Sequence, residues 1–200
     1  MAKVLTFQVG IEGLEDKIWR IIEITDKRTI ADLAYTILAT FHSLAYHLYD
    51  IKYKNKVYDC WIDIEYDDRD IEPVNATITK LSSLNLKEND IMKMDYDTGS
   101  TITFNITYLK ESEFKKGNGM HYPQIIDGAG YGMIDDITIE ELKDIIKDID
   151  KKGISNYQCL CMDGRNTKIY DYREFDLRKN HLHVRRYFWK IKYGYEEYNI

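Results

Sequence analysis

Apolar residues alternate with polar ones from the start of the chain. Leu5, Phe7, Val9 and Ile11 take every second place, which predicts a strand with one buried face. Residues 17–24 (KIWRIIEI) predict a second strand, apolar on both faces and therefore expected to be central, with EGLED as the turn between them. The period then changes. Ile30, Leu33, Ala34, Ile37, Leu38 and Phe41 form one stripe at helical spacing, and Thr29 with Asp32 three residues on is a short-armed capping box. HLYDIKY and KVYDCWI around Lys54-Asn55-Lys56 predict a hairpin. The order strand, strand, helix, strand, strand is that of a β-grasp-like ββαββ half, with the helix across a mixed sheet.

The second half repeats both periods. IMKMDYD and TITFNITYL are period-two runs joined at residues 97–100, and ITKLSSLNLKEND before them reads as a short helix or turn. Residues 63–75 are acidic and expected to form an exposed loop, and KESEFKKGNGMHYPQ is a soft segment. Thr138 and Glu141 form a second capping box for a helix carrying Ile139, Leu142, Ile145, Ile146 and Ile149 and stopped near Gly153. From Ser155 the pattern reads as two or three strands. The fold class is α+β. The expected organisation is a domain over 1–153 and a β-rich extension over 154–200 packed on it.

Two hundred residues suffice for a real core. The first residues lack the unbroken apolar run of a signal peptide, and no stretch approaches a membrane span. Cys60, Cys159 and Cys161 are an odd set without a zinc-site partner pair, which suits reduced thiols and a cytoplasmic setting. Charge changes the picture more. The net charge is −6, yet 178–193 (RKNHLHVRRYFWKIKY) holds six basic residues and no acid, leaving −12 on the rest. That stretch interleaves Arg185 and Arg186 with Tyr187 and Trp189, a composition suited to phosphates and bases or to a protein interface. The bland alternative is a last strand paired with the acidic body.

Asp97-Thr98-Gly99-Ser100 are the letters that open an aspartic-protease site, and Gly164-Arg165-Asn166 follows at a plausible distance. A protease needs two carboxylates sharing a proton and an apolar strand feeding the motif. Here one such motif exists, and Lys93 and Asp95 interrupt the strand, so a hairpin corner with Gly99 taking positive φ is preferred. Trp19 and Arg20 point to opposite faces of their strand, giving a core Trp and a surface or paired Arg, or else an Arg that receives a carboxylate or phosphate. His47 is read as a cap or buried hydrogen-bonding group, or as a metal ligand if Asp97, Asp127 or Asp136 lies close. Residues 127–132 (DGAGYG) lack the partners of a phosphate-binding loop and read as a flexible glycine-rich segment. Asp135-Asp136 is expected to favour the following helix N-terminus. Cys159 and Cys161 share one side of a strand and do not suggest a redox pair.

Several of these elements together resemble the Ri-plasmid ORF-three-like family, a domain also met in transposon passenger proteins. Ile18-Trp19-Arg20 resembles its Trp-Arg signature, His47-Leu48-Tyr49 its His-Leu-aromatic element, and Leu81 to Asp90 its leucine-rich approach to a Tyr-Asp-Phe-Gly-Asp motif. Tyr96-Asp97-Thr98-Gly99-Ser100 is similar to that motif, with Thr98 for Phe and Ser100 for Asp. YPQIIDGAGYGMIDD resembles the family's Pro-to-Gly segment, reduced at Met133-Ile134-Asp135-Asp136. Ile102 and Phe104 stand near its usual Trp and His. The resemblance covers about 1–150 and implies a fold and a mobile-element context rather than a reaction.

The preferred functional expectation is a non-catalytic module that binds a protein partner, as an antagonist or regulator of a host system. Its contact residues would be Trp19, Arg20, His47, Tyr96, Asp97, Arg185, Arg186, Tyr187 and Trp189. No cofactor, metal or membrane association is expected. The alternatives are a metal- or phosphate-dependent enzyme using His47, Asp97 and Asp136, and nucleic-acid binding through the basic-aromatic tail, which the pI near 5.4 disfavours.

Overall fold

The computed structural model describes residues 2–59, 72–97, 99–114 and 123–197. Cys60, Thr98 and most of the acidic loop expected over 63–75 lie outside the described residues, as does the centre of the soft segment before Pro123. The chain folds as α+β around one eight-stranded sheet of order β5-β4-β3-β6-β7-β1-β2-β8. The strands are β1 (Lys3–Ile11), β2 (Trp19–Thr25), β3 (Tyr49–Tyr53), β4 (Lys56–Asp59), β5 (Val74–Asn75), β6 (Ile91–Tyr96), β7 (Ile102–Glu113) and β8 (Gln124–Ala129). Every pairing is antiparallel except β4 with β5.

The order ββαββ is present, but the β-grasp-like arrangement is not. β6 and β7 insert between the first hairpin and the β3–β4 hairpin, and β1 pairs antiparallel with both β2 and β7. Strand order along the chain never specified which ladders would close. The twelve-residue β7 pairs with all nine residues of β1 on one edge and with β6 on the other, at the centre of the sheet.

Helix α1 (Ile30–Thr40) opens on the expected capping box, with Asp32 N–H donating to Thr29 Oγ1 and Thr29 N–H to Asp32 Oδ2, both 3.1 Å. All eleven of its residues are buried, because the sheet covers one side and a C-terminal helix covers another. That helix, α3 (Leu177–Glu197), corrects the sequence reading. The basic-aromatic stretch is not a strand, and residues 154–197 are not β-rich beyond a short β9 (Gln158–Leu160) and β10 (Thr167–Ile169) hairpin. Asn180, Val184, Tyr187, Phe188, Ile191 and Tyr195 are its buried residues, at steps of four, three, one, three and four, the stripe of one helix face. Lys192 ties α3 to the start of α1 through Asp32 at 2.9 Å, and the Tyr195 ring stacks on Tyr35 at 5.4 Å. Helix α2 (Ile139–Lys152) has the second capping box and ends at Gly153, φ 75°, as expected. No helix among the described residues is long and apolar enough to cross a membrane.

Candidate metal centre

Two clusters of polar groups gather around the C-terminal end of α1, and they differ in kind. The first centres on Arg20, which reverses the expectation for its strand. Arg20 is completely buried on the core face of β2, while Trp19 is only partly covered. Its guanidinium lies between the rings of Phe41 and Phe175, at 5.0 and 4.8 Å from their centroids. Nε donates to the Thr40 carbonyl at 3.3 Å, Nη1 to those of Trp19 and Ala129 at 2.8 and 2.6 Å, and Nη2 to that of Tyr131 at 2.8 Å. Burial lowers its pKa to about 9. The carbonyls already use all three nitrogens, so Arg20 fastens the end of α1, β2 and the chain after β8 together rather than waiting for an anion.

The glycines of 127–132 serve the same clamp. They are not a flexible phosphate loop: β8 continues to Ala129, paired with β2. At Gly132, φ 142°, an added Cβ would fall 2.3 Å from the Phe41 carbonyl oxygen. The chain can pass that closely only without a side chain.

The second cluster is half open. Helix α1 ends with His42 in the left-handed region, φ 61°, and the following loop carries Ser43 to His47 into β3. Two further turns meet this loop. Asp97 comes from the β6–β7 corner and Asp136 from the loop before α2. His47 Nε2 lies 2.9 Å from Asp136 Oδ1, and His47 Nδ1 lies 3.6 Å from Asp97 Oδ1, an ion-pair distance. One ligand atom from each of the three residues falls within 4.8 Å of the others. Asp97 is the most enclosed, its side chain 11% exposed, and Asp136 the most open, at 64%.

A shell of fixed groups holds this trio. The Tyr46 hydroxyl donates to Asp136 Oδ2, and the Tyr195 hydroxyl of α3 donates to the His47 carbonyl. The Tyr46 bond, first among the causes, holds the Asp136 carboxyl below its ordinary range. Tyr96 is buried, presents its edge to the His47 ring and donates to Asp135 Oδ1 at 3.1 Å. Asp135 also accepts from the Ser43 hydroxyl and the Leu44 N–H, both at 2.9 Å, and burial raises its pKa. It therefore anchors the His47 loop instead of capping α2. Ala45, Asp97 and Asp136 take φ of 58°, 64° and 63°. Such conformations cost free energy for non-glycine residues and concentrate at functional sites.

The corner at 97–100 also departs in detail from the expectation. Asp97 takes a positive φ there, and its carboxylate accepts the Gly99 N–H at 2.9 Å. Gly164-Arg165-Asn166 is likewise a turn, between β9 and β10, where Asp163 accepts the N–H groups of Arg165 and Asn166 at 2.9 Å.

Of the residues singled out from sequence, the fold brings His47, Tyr96, Asp97 and Asp136 together. Trp19 and Arg20 belong to the clamp. Tyr187 faces inward on α3, its ring 4.4 Å from His183, while Arg185, Arg186 and Trp189 lie on the solvent side. Cys159 is buried and its thiol is pushed up to about 11, so it is not activated. Sequence reading missed Ser43, Tyr46 and Tyr195. Tyr46 beside His47 was the available signal; Tyr195 had none, because its role depends on α3 docking.

Beside the trio lies a cavity of about 140 Å³, lined by His42, Tyr131, Met133 and Cys159 together with Tyr46, Asp135 and Asp136. Asp136 and Tyr46 thus face both the cavity and the trio.

The comparisons agree with this layout at the level of fold. The crystal structure of the protein of unknown function MM3350 from Methanosarcina mazei Go1 is similar, with a TM-score of 0.70 and 20% identity over 90% of this chain and 98% of that one. No protein of curated function matches the sequence. The family of plasmid pRiA4b ORF-3-like proteins matches residues 3–179, so the likeness runs past residue 150 and into the start of α3. The chain belongs to the plasmid pRiA4b ORF-3-like family.

Proposed function

We propose that His47, Asp97 and Asp136 form a divalent-cation site and that the protein acts as a metal-dependent enzyme on a small ligand admitted by the adjoining cavity. The observation that carries this reading is the convergence of one imidazole and two carboxylates, from three separate loops, within 4.8 Å. A cation at about 2.0–2.2 Å from such ligands spaces them roughly 3–3.5 Å apart, inside the 4.8 Å within which one ligand atom of each residue already falls. One nitrogen with two carboxylate oxygens suits Mn²⁺, Fe²⁺ or Zn²⁺ better than Ca²⁺. Three protein ligands leave coordination positions for water and ligand, where a cation polarises an oxygen or lowers the pKa of bound water. Tyr46 and Tyr195 supply the outer hydrogen bonds that orient Asp136 and the His47 loop.

This reading takes precedence over a purely non-catalytic protein-binding module, because a module of that kind needs no strained backbone at a half-open histidine–carboxylate cluster. Isothermal titration of the metal-stripped protein with Mn²⁺ and Zn²⁺ tests it. Micromolar binding to one site is expected, weakened at least tenfold in Asp97→Asn and His47→Ala. No saturable binding below millimolar cation, or unchanged affinity in Asp97→Asn, removes the metal and the enzyme reading with it.

A further inference from the structure

The outer face of α3 is independent of the metal centre and has its own chemistry. Arg178, Leu182, Arg185, Arg186, Trp189 and Tyr193 are exposed and fall on one arc of the helix, with Lys179 and Lys190 at its margin. Leu182, Trp189 and Tyr193 are 54%, 58% and 50% exposed, an unusual degree for three large apolar side chains on one helix.

Most cations of this face have no carboxylate partner among the described residues. Lysines elsewhere are mostly paired with carboxylates, as in Lys3–Glu111, Lys52–Asp95 and Lys147–Asp144. Among the described residues, no carboxylate lies within ion-pair distance of Arg178, Arg185, Arg186 or Lys190, and Lys179 reaches Asp176 only at 4.0 Å. Lys192, the sixth cation of the stretch, faces Asp32 and Glu196 instead. Arg178 to Lys190 spans about 18 Å of helix. Trp189 is stacked on one side by Arg28, 5.3 Å from its ring centroid, which holds the indole in place.

We propose that this face binds single-stranded nucleic acid, the cations without carboxylate partners contacting phosphates and Trp189 stacking on a base. A polyanion with planar faces matches both halves of the patch, the charge and the rings. An acidic peptide would satisfy only the cations. The net charge of −6 does not oppose this at physiological salt, because fields from the acidic body are screened beyond about 8 Å.

Fluorescence anisotropy with a labelled oligo-dT tests the proposal on the full chain, with poly-glutamate of similar length as competitor. Binding is expected at 50 mM salt, with log K falling against log salt at a slope of about −3 for four to five phosphate contacts. Arg185→Glu with Arg186→Glu should weaken binding at least tenfold. Trp189→Ala should cost about tenfold, and Trp189→Phe should retain most of the affinity. Circular dichroism and thermal midpoints of all variants should match the parent, since each side chain is exposed. No binding at 50 mM salt, or affinity unchanged in the double Glu variant, overturns the proposal. Equal competition by poly-glutamate together with an unaffected Trp189→Ala also overturns it, in favour of an acidic protein partner.

Discussion

Arg20 and His47 lie on opposite sides of α1 along the chain, and they occupy opposite situations. Arg20 is sealed. Its three nitrogens meet four backbone carbonyls, two aromatic rings close over it, and water is excluded. His47 is held at the rim by two aspartates at its ring and by the Tyr195 hydroxyl at its carbonyl, next to a cavity that Asp136 lines. A charged group whose hydrogen bonds are complete inside the fold does structural work. A group held in place, with partners that could exchange for a cation, is available for chemistry. Residue type does not separate the two; the completeness of the hydrogen bonding does.

The comparison breaks most decisively at the clamp. Arg20→Met should remove a donor shared by four core carbonyls and cost about 3–5 kcal/mol of stability by urea denaturation. Arg20→Lys should recover part of that, because an ammonium has three donors and no planar fork. If Arg20→Met unfolds at the parent's urea midpoint, the clamp is not structural. Asp97→Asn, by contrast, should move the midpoint little while abolishing metal affinity; a large stability loss there would erase the distinction between the two clusters.

A smaller effect concerns acid. Burial lowers the pKa of His42 to about 3, with repulsion from His183 and Arg20 adding to it, and burial lowers that of His183 to about 4, helped by Arg186. Both are neutral in the fold, whereas in the unfolded chain they protonate near 6.5. Their contribution to stability is therefore complete above about pH 6.5 and is lost as pH falls toward 4 and then 3, with a slope approaching two protons, about 2.7 kcal/mol per pH unit. Asp135, raised by burial, works in the opposite direction and moderates the loss. Urea midpoints at pH 7.5 and 5.0 should show the decline, and His183→Gln should reduce its slope by about one proton. A flat profile would show that these imidazoles take up protons without unfolding. The smallest effect should be Tyr46→Phe, which leaves the fold intact and weakens metal binding severalfold to tenfold by releasing Asp136. Unchanged affinity would place Tyr46 outside the site.

Much of the fold was legible because it is local. Both capping boxes, the Lys54-Asn55 hairpin and the corner at Asp97 follow from spacings of a few residues, and the backbone obeys them. The α3 stripe was also present in the sequence. It was masked by Tyr, Phe and Trp, which weigh toward strand, although their placement at 187, 188 and 195 follows a helical period. Which side of β2 faces inward was not legible, since Trp and Arg are both amphipathic and either can cover a core. The carbonyls that decide it belong to Thr40, Ala129 and Tyr131, far along the chain.

The sequence by itself determined the period of each segment, the capped ends of α1 and α2, the tight corners and the set of residues capable of chemistry. These depend on neighbours within one or two turns of chain. Only the tertiary structure decided that Arg20 points into the core, that β6 and β7 divide the two N-terminal hairpins, and that His47, Asp97 and Asp136 share one rim. Each of those outcomes is settled by long-range burial and by carbonyls and carboxylates that come within reach only after the sheet has closed on α1.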